Sequence, residues 1–139
     1  MHSLVRRFLK TGIAFLLIEL RQRLSGPHVV SAHTHAILVG FVMMMILGVA
    51  LWMFPRPAKE DVRYTPRAAE GAYWLLTVGT SVRIVGEVAR PHSSALWLRA
   101  GVFSAGLLQV AGLLLFFYTM WSRIRAVGSQ TRESRGERF

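Results

Sequence analysis

Residues 28–57 read His28-Val-Val-Ser-Ala-His33-Thr-His35-Ala-Ile-Leu-Val-Gly40-Phe-Val-Met-Met-Met-Ile-Leu-Gly48-Val-Ala-Leu-Trp52-Met-Phe54-Pro55-Arg-Pro57. No charged residue lies between Ala36 and Phe54, and an apolar run of that length can cross a bilayer as a helix. Pro55 and Pro57 end it, because proline cannot extend a helix. His33 and His35 stand at its start. Ionisable side chains at membrane depth are costly and mark a functional site by default. The stretch therefore predicts a membrane helix that carries histidine chemistry near one face.

Working outward, Ala100 to Trp121 is a second charge-free run. Two weaker runs flank these: Phe8 to Leu24, broken by Lys10, Glu19 and Arg21, and Ala72 to Ala89, broken by Arg83 and Glu87. Four spans result, over about 5–24, 29–54, 70–90 and 96–122, in one transmembrane unit over 1–127. Residues 128–139 form a polar, basic tail expected to be disordered. Backbone groups in lipid must be bonded within their own segment, so the expected fold is an all-α integral membrane four-helix bundle. Trp52, Trp74, Trp97 and Trp121 all fall at expected span ends, as an aromatic belt would place them.

The composition is 53% hydrophobic with a net charge of +10, and the charge is segregated. One side collects Arg6, Arg7, Lys10, Arg56, Lys59, Arg63, Arg67, Arg123, Arg125, Arg132, Arg135 and Arg138. The other has Arg21, Arg23, Arg90 and Arg99, with Arg83 inside the third span. The positive-inside rule accounts for this bias without nucleic acid, and it puts both termini and the 55–70 loop in the cytoplasm. The start resembles a signal peptide but has no small-residue cleavage site, so it reads as a retained first span. There is no cysteine, which excludes disulfides and thiolate metal sites.

Two residues apart on a regular helix, His33 and His35 point to opposite sides and cannot ligate one metal together. His33 shares a face with Ala36, Ile37, Gly40 and Met44, and His35 with Leu38, Val42 and Ile46. Gly40, seven residues after His33, would let a flat macrocycle lie against the backbone. His33 is thus the expected heme ligand, and His35 bonds a carbonyl, a propionate or interfacial water. A structural role at a helix end is the plain alternative for both.

Glu19, Arg83 and Glu87 fall in the outer half of their spans at a depth similar to the two histidines, with Arg99 near the rim. Either Arg83 and Glu87 pair at i,i+4, or Arg83 and Arg99 hold heme propionates. His28 and His92 sit beside prolines in the outer loops and are the remaining candidates, with His35, for a second ligand. Met43, Met44 and Met45 read as packing residues. The spacings Ala36–Gly40 and Gly101–Ala105–Gly112 read as close helix contacts.

The segment Ala32-His33-Thr-His35-Ala-Ile-Leu-Val-Gly40-Phe41, followed by Gly48-Val-Ala and Phe54-Pro-Arg, resembles the second helix of subunit I of the heme–copper oxidase superfamily. It is most similar to the nitric-oxide reductase and C-type oxidase branches, where a His-Thr-Asn motif occupies this place. Lys10-Thr-Gly-Ile-Ala-Phe-Leu-Leu17 resembles the first helix, and the likeness covers about residues 8–57. By that resemblance His33 corresponds to an axial ligand of the low-spin heme near the outer face. The other heme and metal ligands of that family lie on later helices that have no counterpart here. The resemblance therefore implies no independent oxidase or reductase activity.

The leading expectation is a small b-type cytochrome-like protein of a bacterial- or archaeal-type cytoplasmic membrane. It would be a homo-oligomer that binds heme b through His33 for electron transfer with a respiratory partner, or for sensing nitric oxide or oxygen. The alternative is a non-redox accessory or assembly subunit of a respiratory heme–copper enzyme. Copper or zinc handling through His28, His33, His35 and His92 ranks last. No nucleophile–base pair, phosphate loop or carboxylate dyad for hydrolysis is found.

Overall fold

The computed structural model describes residues 3–25, 34–54, 65–89 and 95–124, and Gly136. These residues are all helical apart from short ends. Helix α1 covers Ser3–Ser25. Helix α2 begins as a π-helical stretch, Ala36–Met43, and runs directly into an α-helix, Met44–Met53. Helix α3 covers Pro66–Ala89, and α4 covers Leu96–Met120, closed by a 3-10 turn over Trp121–Arg123.

Local chemistry sets the ends. Phe54 is extended, at ψ 143°, the conformation that a following proline imposes. Helix α3 starts at Pro66, ahead of the residue 70 expected from hydropathy. Thr65 supplies the cap: its Oγ1 accepts from the Ala68 amide at 3.3 Å, and its carbonyl accepts from the Ala68 and Ala69 amides. Proline fits the first position because its missing N–H needs no partner there.

The four helices pack as two antiparallel hairpins. In the first, Gly12 of α1 approaches Phe41 and Met44, and Gly48 of α2 approaches Phe8 and Leu9. In the second, Gly79 of α3 lies on the Ala105 backbone, and Gly112 of α4 lies on Ala72 and Leu76. Phe8, Met44, Leu47, Tyr73, Leu76, Phe116 and Met120 form the core that joins the hairpins. Thr11 and Tyr73 share a hydrogen bond of 2.8 Å between α1 and α3. The hydroxyls of Thr77 and Ser81 donate to the carbonyls four residues earlier, and that of Thr119 donates to Phe116 three back. These bonds satisfy the hydroxyls within their own helix.

Two helices are long and apolar enough to cross a membrane, Ala36–Met53 and Leu96–Met120. Only 28% and 22% of their apolar windows are buried, whereas the core helix of a soluble bundle buries most of its apolar face. Helices α1 and α3 do not meet the same criterion. They carry Arg6, Arg7, Lys10, Glu19 and Arg21, and Arg67, Glu70, Arg83 and Glu87. The outside of the bundle is nonetheless apolar, with Leu17, Leu38, Ile46, Val85, Phe103 and Leu114 exposed alongside all four tryptophans.

Candidate functional site

Arg83 and Glu87 lie one turn apart on α3, so their side chains meet on one face. Arg83 Nε donates to Glu87 Oε1 at 3.0 Å. The same Oε1 lies 3.4 Å from His35 Nδ1, at the start of α2. That is long for a hydrogen bond and is an electrostatic contact. One carboxylate oxygen thus serves a cation from its own helix and an imidazole from the opposite hairpin. The Glu87 side chain is only 4% exposed, and its Oε2 is buried without a hydrogen bond among the described residues. Burying a carboxylate is tolerable only with such partners.

Phe15, Ala36 and Ile84 form a small apolar cluster at this end of the bundle. It ties α1, α2 and α3 together next to His35 and beside Arg83 and Glu87. Glu19, one turn past Phe15 on α1, is buried at the same end. One turn further in, Gln109 Nε2 of α4 donates to Thr80 Oγ1 of α3 at 3.1 Å, with both side chains buried. Polar layers therefore stack on that end of α3: Thr80 with Gln109, then Arg83 and Glu87 with His35.

A family model described as a domain of unknown function, DUF8744, matches residues 7–125. The chain belongs to the DUF8744 family. The match takes in all four helices of this DUF8744 chain but for the first turn of α1, together with the whole His35–Glu87–Arg83 cluster. No curated protein and no solved structure matches it.

The expected site residues are redistributed. His28, His33 and His92 lie outside the described residues. His35 was expected on a face with Leu38, Val42 and Ile46, which are exposed in the structure, yet it meets Glu87. His35 is partly buried beside the fully buried Ala36, at the edge of the face that α2 turns inward, and its ring meets Glu87 from there.

Gly40 does not hold open a macrocycle face. A Cβ there would come within 2.8 Å of Phe15 Cγ, so the Phe15 ring fills that space and the missing side chain serves helix packing. Arg83 makes the expected i,i+4 pair with Glu87. Arg83 and Arg99 also share an open groove of about 440 Å³ on the α4 side. Among the described residues no group of three His, Asp or Glu side chains is placed to hold a bare metal ion.

The Thr80–Gln109 pair was not anticipated, although Gln109 is the one amide in an otherwise apolar span and a polar side chain there seeks a partner on a neighbouring helix. From the sequence, Arg123 is one of the expected cytoplasmic charges. It is buried and donates from Nη2 to the Phe54 carbonyl at 2.9 Å and to the Leu51 carbonyl at 3.5 Å, and from Nη1 to Met120 Sδ at 3.2 Å. It thus caps the end of α2, where carbonyls lack intrahelical donors.

Proposed function

We propose that the chain is a multi-pass protein of a bacterial- or archaeal-type cytoplasmic membrane, with both termini cytoplasmic. In this reading it binds heme b near the outer face for electron transfer or gas binding. The apolar exterior and the exposed tryptophans support the membrane placement. The observation that carries the heme reading is His35 Nδ1 held against the buried Glu87 carboxylate at 3.4 Å. Metal-ligating histidines commonly donate one ring N–H to a carboxylate, which fixes the tautomer and orientation and raises the basicity of the other nitrogen; the 3.4 Å contact brings those two groups together, at a distance longer than such a bond.

The donor set therefore fits an imidazole-ligated heme with His35, rather than His33, as the ligand, Glu87 as its support, and Arg83 holding Glu87. The Gly40 face does not fit a macrocycle, because Phe15 occupies it. Bound heme supplies one-electron and gas-binding chemistry. The protein's own contribution is to orient one imidazole and to keep a buried carboxylate beside it, next along the helices to the apolar cluster of Phe15, Ala36 and Ile84. A two-fold dimer would bring a second identical ligand by symmetry.

The test is the optical spectrum of detergent-purified protein expressed with heme supply, oxidised, dithionite-reduced and then exposed to carbon monoxide. Wild type should carry reduced heme bands, and His35→Ala should lose them while His33→Ala keeps them. The reverse pattern would return the ligand to His33, as the family resemblance implies. Bands unmoved by carbon monoxide would mark a six-coordinate electron carrier, and shifted bands an open site. A wild type without heme absorption would overturn the reading and favour an accessory subunit.

A further inference from the structure

Arg83 does more than hold Glu87. Its Nε donates to the Glu87 carboxylate, which balances the guanidinium charge. The two Nη groups extend over α4. A Cβ on Gly106 would stand 2.7 Å from Nη1, so the glycine leaves the guanidinium its seat. Neither Nη group has an acceptor among the described residues. The side chain is 24% exposed, and it lines the open groove with Phe103, Leu107 and Val110. Arg99 stands about two turns away, roughly 10 Å along α4, and takes no part in this arrangement.

Depth narrows the choice of acceptor. Gly106 lies about 15 Å along α4 from Leu96 at the helical rise, about half of a hydrocarbon core of ~30 Å. Phospholipid headgroups and water stay at the edges of that core, and donors left unmet inside it are costly. The acceptor therefore belongs to a molecule dissolved in the hydrocarbon layer. Charge narrows the choice further. The Arg83–Glu87 pair is already neutral, so an added carboxylate would be repelled by Glu87, and a neutral carbonyl oxygen suits the Nη donors better. Shape completes the description. The Phe103 ring is 69% exposed and makes no ring contact among the described residues, which leaves its face open to a second flat ring. The groove, at about 440 Å³, has the volume of a small-molecule site.

We propose that this groove binds a membrane-dissolved quinone, one ring carbonyl accepting from the Nη groups of Arg83, the ring against Phe103 and the apolar tail along Leu107 and Val110. Arg83, expected to hold a heme propionate, is assigned here to a neutral carbonyl. The site rests on the reading of the bundle as membrane-embedded. It deepens the heme reading by naming a class of electron partner, yet quinone binding itself needs no heme.

The experiment is photolabelling of the full chain in phosphatidylcholine vesicles with an azide-bearing ubiquinone analogue, followed by peptide mapping. The label should fall on α4 between Phe103 and Val110, and unlabelled decylubiquinone should displace it. Dioleoylglycerol, which carries neutral ester carbonyls but no ring, and oleic acid should displace it only at much higher concentration. Gly106→Leu fills the seat of the guanidinium from a partly exposed position. It should raise the half-displacing concentration of decylubiquinone about tenfold, the scale of one hydrogen bond from a charged donor. Leu38→Trp, at an exposed position on α2, should leave that concentration unchanged. Label spread evenly over the exposed faces of α2 and α4, displacement by dioleoylglycerol or oleic acid as effective as by decylubiquinone, or equal effects of the two variants would each overturn the site. Membrane fractionation tests the embedding by itself, and heme absorbance reads the other proposal without reference to quinone, so failure of either is distinguishable from failure of this site.

Discussion

The two ends of the bundle use charge in opposite ways. At the end where α1 and α3 begin, Arg7 and Glu70 pair at 2.6 Å with both side chains about half exposed. The pair is replaceable by water, and Arg123 at the same end turns its Nη2 to the backbone of α2. At the other end, Glu87 is buried, serves two partners with one oxygen, and draws one of them from the opposite hairpin. The first arrangement closes helices. The second holds a buried carboxylate and a partly buried imidazole together between two hairpins. That difference is why the functional reading rests on one end only.

The comparison can be broken most directly by removing one glutamate at each end. Glu87→Leu takes the anion from Arg83 and His35 inside the bundle. Stranding the partner of a buried pair typically costs about 3–5 kcal/mol. The quarter exposure of both partners lets water or lipid headgroups recover part of that, so a loss of about 3 kcal/mol is expected in thermal unfolding in detergent. Any bound heme should be lost with it. Glu70→Leu should change the unfolding midpoint little. Equal effects at the two ends would remove the distinction.

Arg123→Ala sharpens the view that the first end closes helices. It deprives the Phe54 and Leu51 carbonyls of a charged donor. Hydrogen bonds to charged groups contribute about 1.5–3 kcal/mol, so a loss of about 2 kcal/mol is expected in the same assay. Heme content at the far end should stay the same. Loss of heme in this variant would mean that the two ends are coupled.

Much of this architecture is legible in the residues, and the misreadings have identifiable causes. The stop at Phe54–Pro55 and the Arg83–Glu87 spacing follow directly from proline geometry and the helical period. Thr65–Pro66 also carries a legible cap, which starts the helix ahead of its apolar run. The contact between His35 and Glu87 was not legible. It joins α2 to α3, and the period of neither helix says which faces the two bring together. Gly40 is ambiguous for a related reason. A missing side chain is equally suited to a macrocycle and to a phenyl ring, and only the packing of α1 shows that Phe15 takes the space. Arg123 was hidden by its own charge, since the positive-inside rule already explained it.

Gly40→Ala tests that correction with a smaller effect. The added methyl would press on Phe15, and overpacking of this kind costs about 1–3 kcal/mol. A helix interior offsets part of the cost, because alanine is favoured there over glycine by about 1 kcal/mol. The expected net loss is about 1 kcal/mol, relieved in the double variant Gly40→Ala with Phe15→Leu. A Gly40→Ala protein of full stability that loses heme would instead restore the macrocycle to this face.

The smallest expected effect is at the exposed pair. Arg7→Gln and Glu70→Gln should each cost about 0–1 kcal/mol, the range for solvent-exposed ion pairs, and the cost should shrink further as salt rises past physiological strength, where charges are screened within about 8 Å. The Glu87 carboxylate is only 4% exposed, and partly buried pairs are screened less than exposed ones, so its contribution should fall less over the same salt series. A melting curve of each variant at low and high salt separates the two behaviours. If the Glu87→Leu loss faded with salt as the Glu70→Gln loss does, Glu87 would be a solvated surface charge, and the case for a site built around His35 would go with it.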